Sequence, residues 1–539
     1  MRLIVSKTAR DGLKCLSRRP ISHAPRATCQ SYRSFVATPA RKDEERKWST
    51  PLAKQLTEAI NTTGPIPLAS YMRMCLTSDI GGYYTGAIKE DRDQFGRKGD
   101  FITSPEISQI FGELIGVWFV AEWMSQGSPK KGVELIEVGP GRGTLMDDML
   151  RTMKNFKDLA SAIDTVYMVE ASAELRLAQK NLLCGEDAVM TESKIGWHST
   201  SKYSGLPVVW TDSIKAIPND PSKMPFIVAH EFFDALPIHA FQLVDVPPAT
   251  QEPATTTTDS GSSNSPPGSS TKPKLATRQW REMVVSPTPK GTTHADLGSP
   301  KAEHHDPVPE FQLTLSPSAT RHANYLPETS PRYRALKEIP NALIEICPDA
   351  SLYASDFAIR IGGPNPPSTT PSRSRSSSSS TVSPRNPPPP LPKPHPSGAA
   401  LILDYGPPST IPANSLRGIR HHRRVSPFSL PGLVDLSADV DFFALAEAAT
   451  RASPGVEVHG PVDQAHFLEA MGGGKRAEML ASRTGTGNVE DRAREIERSW
   501  KRLVDRGPNG MGKLYKALAI LPENGGRRRP VGFGGDVAA

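Results

Sequence analysis

The chain has few of the features that define disulfide scaffolds or membrane-spanning proteins. Its 539 residues include five cysteines, which form no CxxC pair and no metal-ligand spacing, a pattern typical of a reduced intracellular protein. No apolar run reaches the roughly 18 residues that a membrane-spanning helix needs. Hydrophobic residues make up 37% and aromatic residues 6% of the chain, so one fully packed globular unit of this length is excluded.

Proline is abundant instead, and it clusters in two stretches. The 52 prolines are nearly twice the usual share of about 5%. Residues 247–310 are predicted to be a low-complexity insertion. Residues 363–398, of which 25 of 36 are Pro, Ser or Thr, are predicted to be a disordered insertion, because such sequences bury too little surface to offset ordering entropy. The strand-like segments Trp280–Val285 and Phe311–Leu315 predict a hairpin with a long loop.

Residues 1–45 differ from the rest of the chain in charge. Seven arginines and three lysines stand against one acid, Asp11, in residues 1–42, and the segment lacks the apolar core of a secretory signal. This composition is typical of a mitochondrial transit peptide, and a disordered basic tail is the alternative. Because this segment alone outweighs the net charge of +7 of the whole chain, the basic balance indicates no nucleic-acid partner.

Strands and helices alternate between the insertions, which predicts an α/β protein with a mostly parallel, doubly wound, Rossmann-like sheet. The predicted strands are Val133–Val138, Thr165–Val169, Val208–Trp210, Phe226–Ala229 and Ala400–Leu403. The predicted helices are Leu145–Met153, Ala173–Leu183, Asp441–Thr450, Gln464–Met471 and Val489–Val504. The expected organisation is a helical lid region at 46–130, a cofactor-binding core at 131–246, its continuation at 311–362 and, with C-terminal helices, at 399–522, and a disordered tail at 523–539.

A glycine-rich loop, EVGPGRGT, joins the first predicted strand to the helix after it. Glycine lets a backbone turn sharply and approach a ligand without Cβ interference. The next strand ends at Glu170, whose carboxylate can bind both hydroxyls of a ribose, so the two features predict an adenosine-bearing cofactor. The residues expected to bind it are Glu137, Gly139, Pro140, Gly141, Gly143, Thr144 and Glu170.

Two cofactors compete for this loop. A dinucleotide fingerprint needs a third small residue where Thr144 stands. Glu137 would repel a pyrophosphate but can attract the amino and sulfonium groups of S-adenosylmethionine, so the sign of charge favours the methyl donor over NAD. An ordinary turn between a strand and a helix is the alternative for a glycine loop taken alone.

A second polar cluster, HEFFDALP, follows the strand Phe226–Ala229, at the edge where open α/β sheets place their active sites. Glu231 and Asp234 can hold a guanidinium by bidentate hydrogen bonds, and with His230 they are the predicted catalytic residues. The alternative makes Glu231 a helix-terminus acid and His230 a satisfied core imidazole. No metal site is predicted, because an HExxH zinc motif would need histidine in place of Asp234.

Two further segments are candidates for a lid and for the rim of the substrate site. One is GDFITSPE, which ordinary helix capping with proline at the first helical position also explains. The other is DYG, at the end of the strand Ala400–Leu403. The residues concerned are Asp100, Phe101, Ser104, Asp404 and Tyr405.

The order of six motifs gives the chain a family resemblance. The motifs are GDFITSPEISQIFGELIG, ELIEVGPGRGTL, VAHEFFDALPIHAFQ, EICPDA, LILDYG and DLSADVDF. With them the chain resembles the MidA-type S-adenosylmethionine-dependent methyltransferases, specifically the mitochondrial protein arginine methyltransferases needed for complex I assembly. The similarity runs from about Pro51 to Leu521, interrupted by the two insertions.

The resemblance implies a class I methyltransferase fold with an added helical lobe, in the mitochondrial matrix. It implies symmetric ω-N dimethylation of an arginine on the 49-kDa-type subunit of complex I. By position, the three loop glycines would line the donor site, with Glu137 near the amino group and Glu170 on the ribose. His230, Glu231 and Asp234 fall in the acidic active-site segment of the family.

One stretch departs from the family pattern. Between Leu416 and Leu433 the chain has four arginines, at 417, 420, 423 and 424, and no acid, where the family more often has an acidic, histidine-bearing segment. This departure concerns the substrate side of the site. A non-catalytic complex I assembly chaperone and an NAD-dependent oxidoreductase are the alternative functions.

Overall fold

The structure is a computed structural model that describes residues 47–85, 99–100, 102–246, 277–301, 304–365, 392–482, 489–508 and 510–534. The predicted transit peptide lies outside the described residues. So do Phe101, residues 247–276 of the low-complexity insertion and residues 366–391 of the Pro/Ser-rich insertion.

The described strands are β1 (Ile66–Pro67), β2 (Val133–Val138), β3 (Ile163–Val169), β4 (Thr191–Ser193), β5 (Gly196–Thr200), β6 (Pro207–Thr211), β7 (Met224–His230), β8 (His239–Val246), β9 (Thr277–Pro287), β10 (Phe311–Leu315), β11 (Leu343–Ile346), β12 (Ala399–Tyr405), β13 (Arg417–Arg420), β14 (Arg423–Val425), β15 (Asp435–Ser437), β16 (Val456–Asp463) and β17 (Tyr515–Pro522).

The described α-helices are α1 (Pro51–Thr63), α2 (Leu68–Thr77), α3 (Ser104–Ile107), α4 (Gln109–Ser125), α5 (Thr144–Met153), α6 (Lys157–Ala162), α7 (Ala173–Cys184), α8 (Arg321–Tyr325), α9 (Pro331–Ala335), α10 (Pro348–Gly362), α11 (Phe442–Ala452), α12 (Gln464–Ala470), α13 (Gly473–Ser482), α14 (Val489–Val504) and α15 (Met511–Leu514). Among these described helices, none is long and apolar enough to cross a membrane.

The central sheet confirms the predicted α/β class. In the described residues its nine strands lie in the order β16-β17-β12-β7-β2-β3-β6-β5-β4, with the five strands from β12 to β6 parallel. All five predicted strands are in this parallel part. Each carries a short apolar run, because helices cover both faces of a parallel sheet.

The chain reverses its direction of travel across the sheet between β2 and β7. From β2 it proceeds outward through β3 to β6, and from β7 it proceeds the other way to β12. A crevice forms outside the carboxyl ends of the strands at such a point, and open α/β sheets bind their ligands there. The glycine loop after β2 and the HEFFD segment after β7 therefore face the same crevice.

Two hydrophobic clusters lie on the two faces of this sheet. One packs α4 and α5 against the sheet, with Trp118, Phe119 and Phe226 almost fully buried. The other packs α10 and α11 against the opposite face, around Phe357 and Phe442. Helices on both faces give the three-layer arrangement that the alternating sequence pattern predicts.

Two smaller sheets lie beside the central one. The predicted hairpin is present: β9 pairs antiparallel with β10, with Leu313 opposite Val285, in a sheet with β1, β8 and β11. Strand β9 occupies part of the range 247–310 that the composition assigns to an insertion, because its side chains at Trp280 and Glu282 are buried. The other sheet has the order β14-β13-β15.

The C-terminal segment differs from the predicted disordered tail. Residues 523–534 are described, and Phe533 is 8% exposed against Trp118 and Phe467. Arg528 donates from Nη1 and Nη2 to Glu122, a fully buried carboxylate of α4. The glycine- and arginine-rich composition concealed this packing, because one aromatic residue and one ion pair anchor the segment.

Replacing Arg528 with alanine is expected to destabilise the protein by about 2 kcal/mol, because it leaves the Glu122 carboxylate buried without a cation. The value lies below that of a fully buried pair because the Arg528 side chain is 37% exposed. Urea denaturation measures the change. Arg527→Ala is the matched control, since Arg527 is exposed, and a loss of stability as large as that of Arg528→Ala would contradict the role of the ion pair.

Candidate active site

A cavity of about 1230 Å³ opens where β2, β3, β7 and β12 end. Its lining includes the glycine loop, the HEFFD segment, the end of β12 and the start of β17. The structure therefore brings together two constellations that lie about ninety positions apart in the sequence. Of the predicted site residues, those that line the cavity are Glu137, Gly139, Pro140, Gly141, Thr144, Glu170, His230, Glu231, Asp234 and Tyr405.

The glycine loop uses left-handed backbone conformations at its three glycines. Gly139, Gly141 and Gly143 have φ angles of 67°, 52° and 84°, which side chains other than glycine rarely adopt. A Cβ atom on Gly139 would lie 2.6 Å from Cδ2 of Phe232, so the loop also needs glycine for close packing. The conformation turns the backbone over the carboxyl end of β2 and leads it into α5.

Glu137 lines this part of the cavity and has a buried carboxylate oxygen. Its side chain is 2% exposed, and Oε2 has no hydrogen-bond partner among the described residues. Burial, with a contribution from Glu170, raises the pKa of Glu137 well above its usual value. A buried acceptor without a partner is costly, so this atom is a position where a ligand donor would be stabilising.

Glu170 lies across the loop at the end of β3. Its Oε1 accepts the Ser172 backbone N–H at 2.8 Å and its Oε2 accepts Gln179 Nε2 at 3.1 Å. Gln179 also donates to the carbonyl of Gly141 at 2.7 Å. The Gln179 side chain therefore fixes the acidic residue and the glycine loop relative to each other, and burial raises the pKa of Glu170 to about 7.

Glu231, which lines the cavity, has a strained backbone. Its φ is 49°, and holding a non-glycine residue there costs about 1–3 kcal/mol. Its N–H donates to the carbonyl of Leu403 at 3.0 Å, which fixes this conformation against β12. Tyr515 and the Ser104 backbone N–H hydrogen-bond the carboxylate. Oε1 has no partner among the described residues.

Asp234 is the second buried carboxylate of the cluster. The Tyr405 hydroxyl donates to its Oδ2, whereas Oδ1 has no partner in the described part of the chain. Burial raises the pKa of Asp234, and burial together with Asp234 raises that of Glu231. Two residues that line the cavity thus each have a buried carboxylate oxygen without a donor among the described residues, an arrangement that favours a cationic ligand.

Asp404 does not lie on the substrate rim, where the sequence predicts it. It is fully buried, and its Oδ2 accepts the backbone N–H groups of Phe232, Phe233 and Asp234 at 2.9 to 3.3 Å. It is therefore a positioning residue that shapes the turn after Glu231. Successive side chains of a strand point to opposite faces, so Tyr405 faces the cavity while Asp404 faces the turn.

His230 does not have the properties of a general base. Its ring packs edge-on against Phe111 at 5.0 Å, and burial lowers its pKa to about 3. Its Nε2 lies 3.4 Å from Glu231 Oε1 and has no hydrogen-bond partner among the described residues. The structure therefore places a neutral imidazole beside Glu231.

Of the predicted lid residues, the two that the structure describes, Asp100 and Ser104, do not line the cavity. Asp100 is buried and accepts the Tyr83 hydroxyl at 2.9 Å and the His421 backbone N–H at 2.8 Å. Ser104 is fully buried at the first position of α3 and contributes only its backbone N–H to Glu231. Both residues fix neighbouring segments around the site.

The sequence does not predict that Asp435 and Tyr515 line the cavity, and it identifies Arg417 only as part of the basic stretch. Asp435, at the start of β15, lies in the cavity, accepts the Tyr84 hydroxyl at 2.9 Å and has its pKa raised by burial to about 7. Arg417 stacks over the Tyr405 ring at 4.4 Å and pairs with Asp439 at 2.7 Å. Tyr515 belongs to β17. The motif DLSADVDF contains Asp435, but its spacing alone assigns no role to that residue.

Away from the cavity, one described group has the chemistry of metal ligands. His239, Glu282 and His322 bring their donor atoms within 4.8 Å of one another. His239 Nδ1 and Glu282 Oε1 already share a hydrogen bond of 2.7 Å, and Glu282 is fully buried. Hydrogen bonding of a buried carboxylate explains this group.

Comparison with known proteins shows which of the two candidate cofactors this protein binds. A family model of S-adenosyl-L-methionine-dependent methyltransferases matches residues 114–462, which include both constellations of the cavity. The chain belongs to this family. The cofactor of this methyltransferase is S-adenosylmethionine, and the NAD alternative is excluded.

Curated relatives cover nearly the whole methyltransferase. The mitochondrial protein arginine methyltransferase NDUFAF7 of Rattus norvegicus is 31% identical over 94% of this chain and 91% of the rat protein. The homologue of Drosophila melanogaster is 33% identical over 87% of this chain and 85% of the fly protein. The relatives are named as mitochondrial proteins, which supports a mitochondrial location for this chain.

A solved structure has the same fold. It is a crystal structure from Burkholderia thailandensis, described as that of a superfamily member and methyl transferase bound to S-adenosyl-homocysteine. It aligns with a TM-score of 0.56 at 21% identity, covering 90% of this chain and 92% of that chain. The likeness confirms the Rossmann-like methyltransferase fold.

The residues of the methyltransferase fit its cofactor. The unpaired Oε2 of Glu137 suits the amino group of the donor, and Glu170 can accept ribose hydroxyls in addition to its two protein donors. The left-handed glycines keep side chains out of the space between these acids. When bound, S-adenosylmethionine supplies an electrophilic methyl group.

Proposed function

We propose that this protein is a protein arginine methyltransferase that dimethylates an arginine symmetrically on the 49-kDa-type subunit of complex I, in the mitochondrial matrix. One observation carries the choice of arginine. Glu231 Oε1 and Asp234 Oδ1 are buried, unpaired among the described residues and adjacent to the donor loop. Arginine methyltransferase activity in the relatives supports the same choice.

The carboxylate pair suits a guanidinium better than an ammonium group. A guanidinium is planar and donates several N–H groups in a fixed fork, so two carboxylates can orient it while one nitrogen points toward the donor. The Tyr405 hydroxyl hydrogen-bonds the Asp234 carboxylate, and Tyr515 hydrogen-bonds the Glu231 carboxylate. The orientation of the substrate then depends on side chains that are already fixed.

The same carboxylates can take the proton that methylation releases. A guanidinium nitrogen must lose a proton as it gains a methyl group, and a base acts best when its pKa lies near the working pH. The pKa values of Glu231 and Asp234 are raised by burial. We assign proton acceptance to Glu231 Oε1 or Asp234 Oδ1, since His230 is too weak a base.

The value of kcat/KM for an arginine peptide is expected to rise about tenfold between pH 6 and pH 8. Asp435 has a pKa raised to about 7, so it is neutral at the lower pH and attracts the guanidinium only once it is ionised. Steady-state assays across this range measure the effect. Asp435→Asn should flatten the rise, and an unchanged pH profile in that variant would exclude Asp435 as its source.

A labelled-methyl assay tests the proposed function. The purified protein, S-adenosylmethionine carrying a labelled methyl group and the 49-kDa-type subunit are incubated together, and mass spectrometry locates the label. We expect symmetric dimethylarginine at one position of the subunit. An unlabelled subunit, or label on another residue type, would contradict the proposal and favour a non-catalytic assembly factor.

A further inference from the structure

The hairpin of β13 and β14, here called the basic hairpin (417–425), carries charge of one sign beside an acidic cavity. Its four arginines lie at 417, 420, 423 and 424, and its turn is His421-His422. The two turn residues have φ angles of 50° and 57°. Such turns favour Asn-Gly, so two histidines there are strained, which is common at functional sites.

Asp100 holds this strained turn in place. Its Oδ1 accepts the His421 N–H at 2.8 Å, and its backbone carbonyl accepts the His422 N–H at 2.9 Å. The Tyr83 hydroxyl in turn donates to Oδ2 of Asp100 at 2.9 Å. Buried groups therefore fix the hairpin, three of whose residues line the cavity.

Within the described ranges, the two arginines at the tip, Arg420 and Arg423, have no acidic partner that would balance their charge. Arg420 and Arg423 lie directly opposite each other in the β13–β14 ladder, and like charges in that position are destabilising. Neither forms an ion pair with a described residue, and Arg423 is exposed. An anion supplied from outside the chain would remove this repulsion.

Arg424, which lines the cavity, also has no ion-pair partner among the described residues. It lies opposite Ile419, which in turn lies opposite Asp435, and all three line the cavity. Other cavity arginines are paired: Arg73 with Asp349 at 2.9 Å and Arg417 with Asp439 at 2.7 Å. Arg424 has no such partner in the described part of the chain, although Asp435 lies only two strands away.

We propose that the basic hairpin binds acidic residues that flank the target arginine of the protein substrate. This inference rests on the proposed function, because it presumes that a guanidinium enters the acidic cluster. A substrate segment with its arginine at Glu231 and Asp234 would place a neighbouring carboxylate on Arg424 and a more distant one between Arg420 and Arg423. The site thus selects a positive residue among negative neighbours by two patches of opposite charge.

Synthetic peptides of equal length test this specificity. Each has one central arginine, flanked by glutamates, by glutamines or by lysines. In the wild-type protein we expect a KM about tenfold lower for the glutamate peptide than for the glutamine peptide, with kcat unchanged, and a smaller difference at high salt because exposed charges are screened. Arg424→Ala and the double variant Arg420→Ala/Arg423→Ala should each remove much of the difference.

Arg498→Ala, which removes an exposed arginine of α14, is the matched control and should keep the preference. Fluorescence anisotropy with the same peptides and S-adenosylhomocysteine measures binding without turnover. If none of the arginine peptides is methylated, the proposed function is contradicted. The anisotropy measurement would still test whether the basic hairpin binds acidic peptides. Equal affinity for the glutamate and glutamine peptides, or an unchanged preference in the hairpin variants, would overturn the inference.

Discussion

Replacing Glu231 with glutamine is expected to lower kcat about 100-fold or more, with little change in the affinity for S-adenosylmethionine. Glutamine keeps the shape of the side chain and can still accept hydrogen bonds from Tyr515 and from the Ser104 N–H. The substitution removes the negative charge that orients the guanidinium. It also removes the ability of this side chain to take a proton. Single-turnover assays and calorimetric titration with the donor measure the two quantities separately.

The control for this variant is Glu469→Gln, which removes an exposed acid that pairs with Arg506 and is not part of the cavity lining. It should retain wild-type turnover. Wild-type kcat in Glu231→Gln would remove Glu231 from the catalytic residues. A loss of donor affinity equal to the loss of turnover would instead assign Glu231 to cofactor binding.

The substitution Gly141→Val is expected to weaken donor binding by more than about 100-fold, equivalent to roughly 2.8 kcal/mol. The φ of 52° at this position strains a β-branched residue, and Gly141 lines the cavity, so the new side chain occupies space beside the donor. Isothermal titration with S-adenosylmethionine measures the affinity.

Gly127→Val separates the local effect from backbone strain. Gly127 has a φ of 92°, and a Cβ atom there would meet nothing within 4 Å, so the control imposes similar strain on a turn outside the cavity lining. It should lose stability but keep donor affinity. Unchanged affinity in Gly141→Val would show that the donor binds elsewhere.

Local signals in the sequence were sufficient for the parallel core of the fold. The predicted strand Val133–Val138 coincides with β2, and the helix Val489–Val504 coincides with α14. An apolar run that ends at glycines, or a helical charge pattern, is a property of neighbouring residues. The missed strands depend instead on antiparallel pairing, of β17 with β12 and of β16 with β17, which no local pattern specifies.

The difference between local patterns and long-range pairing also explains which site residues the sequence predicts. Glu137 lies near the end of a predicted strand, and Glu170, Glu231 and Asp234 each follow one. The position of a parallel strand's carboxyl end was therefore enough to place them together. Tyr515 reaches Glu231 only because β17 pairs with β12, with Tyr515 opposite Tyr405.

Asp404 and His230 show where strand position was not sufficient. Both lie at strand ends, as predicted, but each has a structural surrounding that the motif does not encode. The Asp404 carboxylate accepts hydrogen bonds from three backbone N–H groups. The imidazole of His230 packs against Phe111 from α4. Side-chain direction therefore makes Asp404, predicted on the substrate rim, a positioning residue, and long-range packing leaves His230, predicted as catalytic, a neutral imidazole beside Glu231.

A crystal structure with S-adenosylhomocysteine and an arginine peptide tests the central claim most directly. The account predicts the amino group of the cofactor product at Glu137, its ribose hydroxyls at Glu170, and the peptide guanidinium between Glu231 and Asp234 on the side of the sulfur atom. A guanidinium bound elsewhere, or a sulfur atom directed away from these two carboxylates, would contradict it.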